Sequence, residues 1–316
     1  MTPILILNWN GWRQTFECIR SLRAAPNAEE IWLIDNGSLE DLSQETKSVG
    51  PNIRIERWDD NYGWAGGYNR ALKLAIDEGY EFVYLINNDC IVDKHFLTHV
   101  LDTAATDSKI AAVGSRIAYI DPPNFVQFDG GYYRPGEQKL RRSKRIKDVR
   151  AVVGAGMLVR LAAVKDCGYF NDLFFLYHEE SEWCGRVGAR GWRLVVSDAS
   201  IVKHRDKGSN QSADWQYYAV RNRFLLINHF PQLYPPLPIM SMVDATSFVM
   251  HEALEKGEVA RRHSDYTTWS AIASGLIDGL DGRFGKRPSN PAHSLPDLLK
   301  RWGELLQTDQ LGKRSS

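Results

Sequence analysis

Over residues 1–120, short apolar runs alternate with longer stretches of helical periodicity, which restricts this part of the chain to crossover units on a parallel sheet. The runs "PILILNW" (3–9), "EIWLID" (30–35), "IRIERW" (53–58) and "FVYLIN" (82–87) read as strands, and 12–24, 40–48 and 65–78 read as helices between them. The last helix is the clearest, because Tyr68, Ala71, Leu72, Ala75 and Ile76 share one face and Gly79 follows as a stop. Asp93 stands where an N-cap for a helix over 94–105 belongs. Beyond 110 the pattern loosens. "IAAVGSRIAYI" and "AVVGAGMLVR" read as strands, a helix is expected at 179–190 ended by Gly191, and short strands at 192–196 and 199–204 follow. After Pro231 the proline-rich "PQLYPPLP" marks a break, with helices expected over about 240–256, 265–280 and 294–308. The expected division is a catalytic domain over 1–230 and a helical region over 231–316.

In a parallel sheet, ligands dock beyond the carboxyl ends of the strands. Read to their ends, three strands deliver Asn8 and Asn10, then Asp35 and Asn36, then Asn87 and Asp89 to one edge. Taken singly, each is also an ordinary turn or cap residue. No G-x-G-x-x-G follows the first strand and no G-x-x-x-x-G-K-[ST] occurs, so neither a dinucleotide turn nor a phosphate loop is expected. Asp and Asn oxygens beside a diphosphate suit a hard divalent cation, Mg²⁺ or Mn²⁺. In "NYGWAGGYN", Gly63, Gly66 and Gly67 permit close approach of backbone to a ligand at a helix N-terminus, or serve a tight turn. Trp64 can stack on a sugar or base, or fill the core.

The motifs "IDNGS" (34–38), "NYGWAGGYNRAL" (61–72), "LINND" (85–89), "GAGMLVR" (154–160), "FFLYHEESEWCGR" (174–186) and "VKH" (202–204) resemble, in this order, those of family 2 inverting glycosyltransferases, rhamnosyltransferase-like subgroup. The resemblance covers roughly residues 3–230 and implies an α/β fold of the GT-A type: a Rossmann-like nucleotide-binding mixed, mainly parallel sheet flanked by helices, with a C-terminal helical extension. It implies that Asp35 contacts the base or ribose of a nucleotide-diphosphate sugar (dTDP- or UDP-linked). Asp89 would hold the cation on the diphosphate, with His204 a further ligand or diphosphate contact. Asn61, Asn69, Asn88 and Gly156 fall within the matched motifs as substrate-site candidates. Asn87 stands where many relatives carry an aspartate, which removes a charge from the metal site.

Sugar transfer needs a base for the acceptor hydroxyl and positive charge on the leaving diphosphate. Glu179, Glu180 and Glu182 open the helix expected at 179–190, where the dipole favours the ionised form. By position in the family's pattern Glu180 is the base, a glutamate in place of aspartate, and Glu179 is the reserve. A single displacement predicts inversion. Arg221, in "YYAVRNRF" (217–224), either reaches the site or packs a helix.

Thirty-nine basic and 39 acidic residues cancel, so no global field recruits nucleic acid. Cys18, Cys90, Cys167 and Cys184 form no C-x-x-C pair, which with the short apolar N-terminus fits a reducing cytoplasm. The run "KLRRSKRIKDVR" (139–150) is the dense basic segment, open to three readings: a mobile loop over the diphosphate, a contact for anionic lipid, or a solvated loop. "LPIMSMV" (237–243) and "FVMHEALEKG" (248–257) leave three partners open for the last region: the inner membrane surface, a second copy, or the catalytic domain itself. The acceptor expected is a glycan or a lipid-linked glycan. A sugar-nucleotide nucleotidyltransferase would need a glycine-rich basic signature after the first strand, which "NWNGWRQT" lacks; a non-catalytic binding relative is the remaining alternative.

Overall fold

The structure is a computed structural model that describes residues 1–26, 28, 30–40, 45, 53–205, 212–229, 242–288 and 293–315, with side chains for all of these except 242–244 and 310–315. It divides into two compact units, 1–172 with 183–206, and 173–182 with 207–316.

The first unit is built on a mixed sheet of ten strands among the described residues: β1 (Ile4–Asn8), β2 (Ile31–Asp35), β3 (Ile53–Arg57), β4 (Phe82–Asn87), β5 (Cys90–Val92), β6 (Ile110–Tyr119), β7 (Val126–Phe128), β8 (Ile146–Asp148), β9 (Met157–Arg160) and β10 (Arg193–His204). Their order is β3-β2-β1-β4-β9-β6-β10-β5, with β7 beside β6 and β8 beside β10. Strands β3, β2, β1 and β4 run parallel, and β9 enters antiparallel between β4 and β6. The continuous apolar runs of β1 and β2 are buried on both faces, as interior parallel strands must be. Strand β3 ends the sheet, and its Arg54 reaches water and the carboxylates of Glu56 and Glu78.

Helices α1 (Trp12–Arg23), α2 (Gly63–Asp77), α3 (Phe96–Ala105) and α4 (Leu161–Cys167) flank the sheet. In α2 the buried face carries Tyr68, Ala71, Leu72 and Ala75, as the periodicity predicts, while Ile76, expected on the same face, is only half-buried near the helix end; Gly79 at φ +82° follows. Helix α5 (Glu179–Ala189) carries the acidic first turn, and Gly191 at φ +79° follows its end. The second unit adds α6 (Ala213–His229), α7 (Met242–Arg262), α8 (Tyr266–Leu280) and α9 (Leu295–Ser315) around a core of Phe224, Ile227, Val249, Leu254, Trp269, Leu276 and Trp302. Gly275 lets α8 lie against α6, since a Cβ there would stand 2.5 Å from the Tyr217 carbonyl oxygen. No helix among the described residues is long and apolar enough to cross a membrane.

Several expectations change. The strands at 192–196 and 199–204 are one strand, β10, whose register against β6 breaks between Ser197 and Ile201. That irregularity leaves buried Asp198 to pair with Arg116 and lets the Ser200 hydroxyl donate to the Phe96 carbonyl. Of 151–160 only Met157–Arg160 is strand, because Gly154 is pressed against the Trp64 ring. Asp93 does not cap α3: His95 holds that position, while Asp93 accepts the Lys94 amide and pairs with Arg142 at 2.8 Å. The basic run is tied down by β8 and its pairing with β10, so it is no free loop. The helix expected at 40–48 lies outside the described residues but for Glu45, as does the break at 231–238.

Candidate active site

Register alone assembles the predicted edge. Asn8 of β1 lies opposite Asp35 of β2, and Leu7 opposite Asn87 of β4. Asn8, fully buried, is a knot rather than a ligand-facing group. Its Oδ1 accepts from the Gly11 amide (3.1 Å), the Thr15 hydroxyl (2.8 Å) and Asn88 Nδ2 (3.2 Å), and its Nδ2 donates to Ser38 Oγ (3.2 Å). Asn88 donates also to the Gly11 carbonyl and Thr15. One amide pair thus joins the ends of β1 and β4 to the start of α1. Asn10, exposed and at φ +56°, accepts the Leu39 amide at 2.9 Å and gives its own N–H to Ser38 Oγ.

Asp35 is 1% exposed. Its Oδ1 accepts the Ser38 amide at 3.1 Å; Oδ2 has no hydrogen bond and stands 3.4 Å from Arg57 Nη1. A buried carboxylate oxygen without a donor is costly in a folded chain, and a sugar or base hydroxyl or N–H would satisfy it.

The glycine-rich start of α2 is shaped by packing. Gly63 sits at φ +72°, and a Cβ on Gly67 would lie 2.7 Å from Leu7 Cδ1, so the helix crosses β1 in direct contact. On Gly66 it would meet Tyr62 Cβ at 3.0 Å. Asn61 Oδ1 accepts from Asn36 Nδ2 (3.0 Å) and the Gly63 amide (2.9 Å), closing the loop before the helix. Trp64 is 9% exposed, edge-on to Tyr68 and Phe170 at 4.6 and 5.0 Å, with its indole N–H on Asn87 Oδ1 at 3.2 Å. These partners give Trp64 a packing duty, and they leave Asn87 committed to an indole. Asn69 exchanges hydrogen bonds with the Phe170 backbone (2.8 and 3.0 Å), and Gly156 is small because a Cβ would meet the Tyr84 hydroxyl at 2.9 Å.

With Asn87 and Asn88 engaged, Asp89 is the charged member of the β4–β5 turn. Strand β10 runs antiparallel to β5 and sets His204 opposite Cys90, which brings His204 Nε2 to 3.4 Å from Asp89 Oδ1. Ligand atoms of Asp89, Cys90 and His204 lie within 4.8 Å of one another. The Cys90 thiol is pushed well up by burial and then by the Asp89 charge, and it points at the Ala155 carbonyl, so it stays protonated. The usable pair is Asp89 and His204. On the other ring nitrogen, His204 Nδ1 lies 2.9 Å from Gln127 Oε1, an acceptor, which assigns the proton to Nδ1 and turns the Nε2 lone pair toward Asp89. Lone pair against carboxylate is repulsive unless a proton or a cation lies between. One carboxylate oxygen and one imidazole nitrogen fit a divalent cation such as Mn²⁺ or Mg²⁺ that takes its remaining ligands from phosphate and water. Gln127 had no signal in the sequence, since "FVQF" reads as plain strand.

In the second unit, the stretch before α5 is strained. Phe175, Tyr177 and His178 adopt φ of +62°, +69° and +73°, a conformation disfavoured for bulky side chains. The Arg221–Asn222 pair of α6 holds it. Asn222 Nδ2 donates to the carbonyls of Phe174 (2.8 Å), Leu176 (2.6 Å) and Tyr177 (2.9 Å), and Arg221 to those of Leu173, Phe174 and Gly285. Arg221 is 1% exposed, so its fork serves this clamp.

Glu179 is 2% exposed and its Oε2 has no hydrogen bond. Burial first, and the Glu180 charge second, push its carboxyl well above the ordinary range, so desolvation outweighs the helix dipole that the sequence invoked. Burial thus disfavours the charged form that a base needs at Glu179. His178 is depressed to about 4 by burial and by the Arg223 charge, and is neutral at pH 7. Buried Glu182 stands 3.2 Å from His229 Nδ1. Of the three glutamates, only Glu180 is half-buried rather than buried.

The profile of Glycosyl transferase family 2 matches residues 4–168. The low-salt glycan biosynthesis hexosyltransferase Agl10 of Haloferax volcanii is 26% identical over 214 residues, 63% of this chain and 67% of that protein. The N-acetylglucosaminyl-diphospho-decaprenol L-rhamnosyltransferase of Mycobacterium tuberculosis is 25% identical over 205 residues, 55% of this chain and 66% of that protein. This chain thus spans about two thirds of the length of each of these relatives. Among solved structures, the mannosyltransferase PcManGT of Pyrobaculum calidifontis, in complex with GDP-Man and Mn²⁺, superposes with a TM-score of 0.53 at 14% identity, over 98% of this chain and 79% of that one. At that identity the likeness speaks for the fold alone. The profile covers more than half of the residues, and the chain therefore belongs to glycosyl transferase family 2, a glycosyltransferase on a GT-A sheet with additional C-terminal helices.

Proposed function

We propose that the protein transfers a sugar from a nucleotide-diphosphate sugar to an acceptor hydroxyl, with inversion at the anomeric carbon. The observation that carries the reading is the Asp89–His204 pair at the strand-end edge, 3.4 Å apart and oriented by Gln127. The two residues hold a divalent cation, Mg²⁺ or Mn²⁺, which when bound supplies the positive charge that the leaving diphosphate needs. The GDP-Man and Mn²⁺ in the Pyrobaculum structure support the donor class and the ion. Asp35, with its open oxygen, receives the nucleoside; Asn8, Asn88, Asn61 and Asn36 fix the loops around it.

Glu180 takes the proton of the acceptor hydroxyl as that oxygen attacks the anomeric carbon on the face opposite the diphosphate. Burial raises the Glu179 carboxyl beside it, while Glu180 is only half-buried and is the more accessible carboxylate of the two. The donor favoured is dTDP-rhamnose, on the likeness to the mycobacterial rhamnosyltransferase, with UDP-sugars the next class to assay. The decaprenol in that relative's name supports a lipid-linked acceptor. In this reading 1–230 is the catalytic domain, 231–316 a helical appendage, and the enzyme works on the cytoplasmic side of a membrane.

Release of free nucleoside diphosphate from a panel of donors with Mn²⁺, plus the anomeric configuration of the product by NMR, tests the proposal. Inversion is expected, and Glu180→Gln lowers kcat by roughly 10² to 10⁴ while donor binding survives. Retention of configuration, release of pyrophosphate, or wild-type turnover in Glu180→Gln would overturn it.

A further inference from the structure

The basic segment 139–150 has no role in the chemistry assigned above, and its construction is unusual. Its side chains Lys139, Arg141, Lys144, Arg145 and Arg150 are exposed and make no hydrogen bond or ion pair among the described residues. Beneath them lies a buried ionic cluster. Arg116, 5% exposed, pairs with Asp198 and lies 3.8 Å from Asp129, and Lys147 pairs with Asp129 and lies 3.3 Å from Asp198. Arg116 Nη1 also donates to the Arg141 carbonyl, and the Asp198 amide donates to the Arg145 carbonyl at 2.9 Å. Both ends of the turn 141–145 are thereby tied to one ion pair, and Ile146–Asp148 continues as β8 along β10.

Burying three charges, with half-buried Lys147 as the fourth, is costly unless geometry is well fixed, and a solvated basic loop would need none of it. The cluster holds an array of unneutralised cations outward on a firm base. Next to the array are two apolar groups in water, Ile146 (42% exposed) and Tyr132 (75% exposed). They belong to the same patch: Lys147 bonds the Asp129 carbonyl, and a Cβ on Gly130 would meet Val149 at 2.5 Å, so 129–132 runs beside 146–149. Unpaired cations beside an exposed aromatic and an exposed aliphatic side chain match the two layers of a bilayer surface, anionic headgroups above and acyl boundary below.

We propose that this face, residues 132–150, docks the protein on an anionic lipid bilayer. The interaction is electrostatic at long range, with Tyr132 and Ile146 entering the headgroup layer. It does not depend on the donor chemistry proposed above, and its failure would leave that chemistry untouched.

Co-sedimentation of the full chain with phosphatidylglycerol/phosphatidylcholine vesicles, against pure phosphatidylcholine vesicles, tests it. The wild type is expected on the mixed vesicles and not on the neutral ones, with release near 1 M salt, where the screening length falls to about 3 Å. The variant Arg141→Gln/Lys144→Gln/Arg145→Gln/Arg150→Gln is expected to bind at least about 100-fold more weakly, since each surface cation contributes roughly fivefold. It should melt with the wild type, as these side chains are exposed and make no hydrogen bond or ion pair among the described residues; Lys144→Glu alone serves as a second, milder variant. Wild type remaining in the supernatant, equal binding to neutral vesicles, or undiminished binding by the variants would overturn the proposal. So would retention on duplex DNA without retention on vesicles.

Discussion

Removing the Asn222 side chain tests whether the strained segment serves catalysis. Asn222→Ala deletes donors to three carbonyls and the acceptor that Arg221 uses at 2.9 and 2.6 Å. Leaving buried carbonyls short of donors costs about 1–3 kcal/mol each, but the Phe174 carbonyl keeps Arg221, so for the two others a total of about 2–6 kcal/mol is expected. Three left-handed bulky residues store about 1–3 kcal/mol each, so roughly 3–9 kcal/mol pulls 175–178 toward another backbone path. The lost restraint is comparable to that strain. Local relaxation is therefore cheaper than unfolding of the unit, and it shifts the first turn of α5 with Glu180. A displacement of about 1 Å at a reacting group can lower turnover roughly 10²-fold. The assay pairs kcat, from nucleoside diphosphate release, with donor Kd by calorimetry and a thermal melt. The expected result is a kcat about 10²-fold lower at donor affinity within about 2-fold of wild type. Unchanged kcat, or kcat and donor affinity falling together with the folded fraction, would refute the reasoning; the test presumes that Glu180→Gln is itself impaired.

Gln127→Leu removes the acceptor that orients His204, and calorimetry with Mn²⁺ alone should show affinity about 10- to 100-fold weaker; unchanged affinity would mean that the His204 tautomer is fixed otherwise. Gly154→Ala sets a Cβ 2.1 Å from Trp64 Cζ2, so urea unfolding should report a loss of about 1–3 kcal/mol, and an unchanged midpoint would contradict the packing described. Stability should peak between two opposed titrations. Unfolding raises the proton affinity of His178 from its folded value of about 4, so stability falls as pH drops from about 6.5 toward 4. Glu179 is the reverse: the unfolded carboxyl ionises first, so stability falls as pH rises above the ordinary glutamate range, by up to about 1.4 kcal/mol per pH unit. His178→Asn should flatten the acid limb and Glu179→Gln the alkaline limb of ΔG against pH.

The sheet and its polar edge were legible because interior parallel strands demand unbroken apolar runs, and the chain must turn where those runs stop. Asp35 and Asp89 follow from that rule, and α2 from its three-and-four spacing. What the sequence hid is which polar groups the fold itself consumes. Asn8 and Asn88 meet across 80 residues, Asn69 and Phe170 across 101, and Asn222 and Phe174 across 48, distances at which local pattern carries no information. Glu179 shows the same blindness in energy terms: spacing places it in a first turn that favours charge, and only burial reverses the sign. Asp93 was drawn from its cap by Arg142, far along the chain.

Three residue pairs join β5 to β10, ending at His204 opposite Cys90. Side chains alternate between the two faces of a strand, so a slip of one residue there would carry the imidazole through the sheet and away from Asp89. The irregular stretch between Ser197 and Ile201 precedes this short ladder and can absorb changes of length upstream. Insertions in the turn before Arg193 should be tolerated by evolution or by an engineer, whereas a single added residue between 201 and 204 should abolish cation affinity in a protein that still folds.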